Sequence, residues 1–156
     1  MKTLIGYESQ FGNTHNIAEF IGREIESSGP ARLLTIHQFR ASDLEGVDLF
    51  LVGGPTQAHT MTQAMKEFLG GLESKPEGIL AAGFDTRIDL PKLLTGAAAG
   101  PITRGLKAAG FKVLIDGESF LVAGKHPSLV ASEEGHAKEW AAQLMALAEA
   151  QLPVAV

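Results

Sequence analysis

The segment Glu8-Ser9-Gln10-Phe11-Gly12-Asn13-Thr14 gathers small hydrogen-bonding side chains around one glycine, between an apolar run (Thr3–Tyr7) and the first stripe of helical period. A turn that leads from a strand into a helix can hold a phosphate with backbone alone. The first N–H groups of the helix lack partners, and its N-terminus carries partial positive charge. Ser9 and Thr14 hydroxyls and the Asn13 amide add donors, and Gly12 lets an oxygen approach without a Cβ in the way. The segment contains no lysine or arginine, so any anion here is held by neutral groups. The simpler reading of the same residues is a helix cap at Asn13 or Thr14.

Other chemistries lack their residues. The Gly-Lys-Ser/Thr ending of a nucleotide-triphosphate loop is absent, and the first turn has one glycine where a dinucleotide fingerprint needs three. No Gly-x-Ser-x-Gly turn exists for a serine hydrolase. His15, His37, His59, His126 and His136 show no paired ligand spacing, and with no cysteine there is neither a thiolate metal site nor a disulfide. A phosphoreceiver domain needs an aspartate at the end of its third strand, where position 53 is glycine. The net charge of −5 argues against nucleic-acid binding. No run reaches the roughly 20 apolar residues of a membrane span, and the N-terminal run is too short for a signal peptide. A cytoplasmic protein of one domain over residues 1–156 is expected.

The elements that must position the loop are legible from hydrophobic pattern. Thr3–Tyr7, Leu33–Ile36, Val47–Val52, Ile79–Phe84, Phe111–Ile115 and Phe120–Val122 are near-continuous apolar runs, as in strands covered on both faces. Ile17, Ala18, Ile21 and Ile25 predict one helix. Met61, Ala64, Met65, Phe68, Leu69 and Leu72 predict a second, and Ala137, Trp140, Ala141, Leu144, Met145 and Ala148 a third. Thr95–Ala109 is crowded with glycine and is expected to be helical only from about Ile102. Strand alternating with helix implies an α/β doubly wound parallel sheet with helices on both faces. Ligands in such sheets bind outside the carboxyl ends of the strands, so the loops after Tyr7, Val52, Phe84 and Val122 are the places to search.

Ser9-x-Phe11-Gly12-Asn13-Thr14 after a first strand resembles the phosphate loop of flavodoxins. The longer form Tyr7-Glu8-Ser9-x-Phe11-Gly12-Asn13-Thr14 is similar to small flavodoxin-domain proteins related to menaquinone-dependent protoporphyrinogen oxidase. The resemblance implies a flavodoxin-like five-stranded sheet of order 2-1-3-4-5 and an FMN whose phosphate is surrounded by Ser9, Gln10, Phe11, Gly12, Asn13 and Thr14. Gly53-Gly54-Pro55-Thr56 is similar to the second flavin loop of the family. By that likeness Pro55 fixes φ for the cofactor-binding loop, and the backbone at Thr56, Gln57, Ala58 and His59 faces the pyrimidine side and N5 of the ring. The third loop is Gly83-Phe84-Asp85-Thr86-Arg87. Phe84 there either covers the flavin or belongs to the strand and core, while Asp85 and Thr86 are expected at the pyrimidine edge. Arg87 pairs with Asp85 or Asp89, lies near N1, or is a solvated surface residue.

The chain departs from the family in lacking a tryptophan in the second loop and a tyrosine in the third. Trp140 and Tyr7 are expected to be buried, and His126 is a neighbour of the site at most. The resemblance implies an electron carrier between redox partners. Two alternatives stay open: an FMN-dependent oxidoreductase acting on a small quinone-like or porphyrinogen-like acceptor, and an interaction module that has lost flavin. The implied partners are a redox protein or such an acceptor, with no nucleic acid and no membrane span. A monomer and a dimer are both compatible.

Overall fold

The computed structural model describes residues 1–72 and 77–153. Its parallel core is β2-β1-β3-β5, built from β1 (Thr3–Tyr7), β2 (Ala31–Thr35), β3 (Leu49–Gln57) and β5 (Leu80–Ile88). A fifth place is filled by two pieces. β6 (Lys112–Val113) and β7 (Glu118–Ala123) both pair in parallel with the same edge of β5, Ala81 opposite Val113 and Phe84 opposite Glu118. The two apolar runs expected at 111–115 and 120–122 are therefore one interrupted strand, which gives the expected order 2-1-3-4-5. Gly117 lies in the interruption because a Cβ there would come within 2.8 Å of Ala99. Two short antiparallel strands were not legible in the sequence: β4 (Thr60–Met61) folds back on β3, and β8 (Ser128–Leu129) on β7.

Successive strand residues face opposite sides, and the core splits accordingly. Ile5, Leu49, Leu51, Leu80, Ala82 and Phe84 pack under α1 (Asn13–Ile25) and α5 (Glu133–Gln151). Leu4, Phe50, Val52 and Ala81 pack under α2 (Gln63–Gly70) and α4 (Ala99–Ala108). α1 follows β1 onto one face and α2 follows β3 onto the other, so neighbouring β1 and β3 send their chains in opposite directions. The crevice between their carboxyl ends is where such a sheet binds ligands.

Helix ends show where tertiary contacts overrule pattern. Gly12, φ +89°, stands at the cap position before α1, and neither Asn13 nor Thr14 caps the helix. The Ser9 hydroxyl does so instead, accepting from Gly12 N at 3.1 Å and His15 N at 3.3 Å. α4 starts at Ala99, earlier than expected from its glycines. Pro101 sits in its first turn, where a missing N–H costs nothing, and Gly105 packs so closely on Leu69 that a Cβ would lie 2.8 Å away. A further helical turn, α3 (Lys92–Thr95), precedes it.

α2 is capped by Thr62, whose hydroxyl accepts from Met65 N at 3.0 Å and donates to the buried Glu8 carboxylate at 2.6 Å. Thr62→Ala removes the cap and strips Glu8 of its donor, so a loss of about 2 kcal/mol is expected in urea unfolding. Thr62→Ser retains both bonds and is expected to stay within about 0.5 kcal/mol.

Candidate functional site

A cleft of about 160 Å³ opens at the carboxyl ends of β1, β3 and β5. One wall is the turn before α1, contributing Ser9, Gln10, Phe11, Asn13 and Thr14. Pro55, Thr56 and Gln57 of β3 and Thr86 and Arg87 of β5 form the rest of the expected lining. Ten residues expected from three separate stretches of sequence thus meet in one place. Ile88, Val122 and Pro127 complete it; none is among the expected site residues, although the loop after Val122 is one of the expected places.

The turn is arranged as a set of donors. Among the described residues, the backbone N–H groups of Gln10, Phe11, Asn13 and Thr14 have no protein acceptor. Asn13 and Thr14 are the first two positions of a 13-residue helix, where the dipole favours an anion. Gly12 itself does not line the cleft, but its left-handed φ turns the chain there, and a Cβ at this position would meet nothing within 4 Å. Asn13 Nδ2 donates to the Pro127 carbonyl at 2.9 Å, which ties the β7–β8 hairpin to the turn. Gln57 donates across the mouth to Gln10 Oε1. At the floor, the buried Thr14 and Thr86 hydroxyls bond to each other at 2.9 Å. One of their two hydroxyl protons is left for a ligand.

The third stretch is strand where a loop was expected. β5 runs on to Ile88, held by pairs such as Pro55–Thr86 on one side and Arg87–Leu121 on the other. Residue parity then fixes the directions. Phe84 is fully buried against Phe120 and Trp140, with ring centroids 6.1 and 5.9 Å away, and cannot cover a ligand. Trp140 is core, as expected, whereas Tyr7 is half-buried at its strand end beside the His15 ring.

Asp85 is also withdrawn from the cleft. Its Oδ2 accepts from Ala99 N at 2.8 Å at the start of α4, and its buried Oδ1 has no partner. Burial pushes the Asp85 carboxyl above the usual carboxylate range, outweighing the Ala99 N–H and Arg87, which act the other way. An acid whose pKa rises on folding stabilises the fold while protonated, and that stability falls as pH rises through the folded pKa. Asp85→Asn is therefore expected to gain Tm relative to the parent between pH 4 and pH 7. The buried amide adds an offset that does not vary with pH, so the slope of the difference is the readout.

Arg87 is the one charged side chain among the described lining residues. It forms no ion pair with Asp85 or Asp89; Nη1 donates to the Leu90 carbonyl at 2.9 Å and its buried Nε has no partner. A cation thus stands in a cleft whose turn was read as wholly neutral. Ala58 and His59 lie outside, at the tip of the β3–β4 hairpin, and His59 is exposed. His126 is exposed and away from the lining; its neighbour Pro127 enters through a carbonyl, a group for which side-chain identity gives no signal. Ile88 was hidden because strand pairing, not hydrophobic pattern, carries β5 that far.

A family model described as a flavodoxin domain matches residues 4–89, more than half of the chain. No curated protein matches. Among solved structures, an archaeal flavodoxin superposes with a TM-score of 0.74 at 22% identity, over 97% of this chain and 99% of that one. The oxidised flavodoxin 1 of Bacillus cereus gives 0.77 at 20% identity, over 94% and 98%. The rubredoxin oxygen:oxidoreductase of Desulfovibrio gigas gives 0.79 at 14% identity; 98% of this chain is covered but only 37% of that one. At these identities the likeness establishes the fold.

Proposed function

We propose, from the premise that this chain belongs to the flavodoxin domain family, that it binds one FMN non-covalently in the cleft and carries electrons between redox partners. The observation that carries the reading is the turn: four backbone N–H groups without an acceptor among the described residues, in and just before the first turn of α1, on residues that line a cleft with one cation in its wall. That donor set suits a phosphate dianion.

When bound, FMN supplies one- and two-electron transfer at its ring. The chain's own part is to bind and orient. The N–H groups of Gln10, Phe11, Asn13 and Thr14 would hold the phosphate. The backbone from Pro55 to Gln57 and from Thr86 to Ile88 would flank the remainder, with Arg87 near enough to offset added negative charge. No side chain is required to move a proton for simple electron transfer.

The substrate-specific alternative draws on a separate observation. With Phe84 in the core and His59 outside, Phe11 (78% exposed) is the one aromatic ring among the described lining residues. A ring held here would keep a face open to a small acceptor of quinone or porphyrinogen-like type. Absorbance of the purified protein before and after adding FMN tests the reading. Flavin bands that stay with the protein through gel filtration are expected; no retained flavin and no binding would leave the interaction-module reading instead. NADPH oxidation with and without a quinone acceptor then separates a reductase from a carrier.

A further inference from the structure

We propose that the rim around the mouth of the cleft is a docking surface for a small redox protein whose own contact surface is acidic. An apolar patch at the centre and lysines at the edge would make the contact. The electron transfer it would serve rests on the FMN reading, whereas the docking itself does not.

The exposed apolar surface is concentrated at this end of the molecule. Among the described residues, the large apolar side chains left exposed are Phe11, Ile88, Leu90, Leu93 and Leu94, the extreme being Leu93 at 95%. Phe11 stands in the turn after β1, and the other four run from the last residue of β5 into α3. Phe11 and Ile88 line the cleft, and the leucines continue outward from it. Both cores lie on the faces of the sheet, and these side chains at its carboxyl end belong to neither. A leucine exposed singly needs no explanation, but five such groups gathered at one end mark an interaction surface.

The charge around the mouth is opposite in sign to that of the chain. The net charge is −5, yet the segments at the mouth, residues 8–12, 58–59, 89–95 and 123–127, present Lys92 and Lys125 against Asp89 as the one exposed acid. Glu8 is buried there, with its carboxylate on the Thr62 hydroxyl. Lys92 opens α3, and Lys125 stands two residues before Pro127, whose carbonyl Asn13 ties to the turn. Among the described residues neither lysine forms an ion pair. Arg87 in the wall adds a third cation. The acids Glu24, Glu26, Glu45 and Asp48 lie at the opposite end, where α1 stops and β3 begins. At physiological ionic strength a Debye length of about 8 Å screens that distant end and leaves the rim's own charge to act. An acidic partner would thus be steered onto the mouth of the cleft, and a basic one turned away.

Other occupants fit this surface less well. A second copy meeting it by two-fold symmetry would bring two net-positive rims together. Membrane-binding basic segments use clusters of about 4–8 lysines and arginines, and two lysines on separate loops fall short of that. The patch comprises one turn and one short segment, the scale of redox encounters that bury less than about 1,200 Å² in total.

The test is isothermal titration of the full chain, with and without FMN, at about 0.15 M salt. The probes are an acidic plant-type ferredoxin and a basic cytochrome c. Saturable binding of ferredoxin is expected, with cytochrome c at least about tenfold weaker. Lys92→Glu combined with Lys125→Glu is expected to weaken ferredoxin at least about tenfold and leave the FMN Kd within about twofold. Arg23→Glu combined with Lys107→Glu makes the same change in net charge at the far ends of α1 and α4 and is expected to stay within about twofold. Leu93→Ser is expected to weaken ferredoxin about threefold or more with Tm unchanged. No ferredoxin binding, tighter binding of cytochrome c, equal weakening by the two charge-reversed pairs, or indifference to Leu93→Ser would each overturn the proposal. So would sedimentation of the chain with phosphatidylglycerol vesicles that the Lys92–Lys125 pair abolishes, which would make the rim a membrane surface. Binding of ferredoxin by a chain that refuses FMN would uphold the docking surface and defeat the FMN reading; retained FMN without ferredoxin binding would do the reverse.

Discussion

Gly53→Ala is expected to destabilise the protein by at least about 3 kcal/mol, lowering Tm by roughly 6–12 °C for a domain of this size. A Cβ at position 53 would lie 2.1 Å from two carbons of the Phe84 ring, which faces it directly in the β3–β5 register. Phe84 has no free space to move into, because it is fully buried in a cluster with Phe120 and Trp140 in which each ring packs on the other two. Either the aromatic cluster shifts or β3 and β5 separate, and these are two of the strands whose ends build the cleft. Gly12→Ala is the matched control. Its Cβ meets nothing within 4 Å, so only the left-handed φ of +89° is strained, costing about 1–2 kcal/mol. Thermal unfolding followed by circular dichroism separates the two; equal Tm values for Gly53→Ala and the parent would contradict the packing described.

Asn13→Asp is expected to weaken FMN binding by two to three orders of magnitude while leaving the fold intact. Asn13 occupies the first position of α1, where an acidic residue is favourable to the helix dipole. Stability is therefore not the quantity at risk. The substitution replaces the amide that donates to the Pro127 carbonyl with an acceptor facing an acceptor, and sets a full negative charge among the N–H groups that would hold the phosphate. Two like charges about 4–5 Å apart repel by roughly 3–4 kcal/mol at an effective dielectric near 20, a factor of some hundreds in Kd. Asn13→Ala loses the tie without adding charge and is expected to cost about tenfold or less. Quenching of FMN fluorescence measures both. A Kd for Asn13→Asp within threefold of the parent would place the phosphate elsewhere.

Both predictions depend on residues whose roles were unequally legible. The turn Ser9–Thr14 announced itself, because a polar turn between an apolar run and a helical stripe is a local pattern. The Gly53-Gly54-Pro55 stretch misled in one respect, since those residues resemble a loop, yet β3 continues through them to Gln57. Two glycines are tolerated in a central strand because the space beside each is taken: Phe84 fills it at Gly53, and Met65 and Glu8 fill it at Gly54. Phe84 had two readings in sequence. The structure decides between them, because once β5 is known to continue, alternation sends Phe84 to the α1–α5 face and Asp85 to the other.

What the sequence determined by itself was whatever one segment can state alone. Apolar runs and helical stripes encode burial along a single element, and from their alternation came the doubly wound sheet, the two cores and the end of the sheet to search. What only the tertiary structure decided was whatever needs two segments at once. The length of β5 comes from pairing with β3 and β7, the capping of α1 from Ser9 folding back, and the entry of Pro127 from a carbonyl bonded to Asn13. Arg87 beside the turn is of the same kind. Hydrophobic period records how deeply a residue is buried, but not which distant backbone group will stand opposite it.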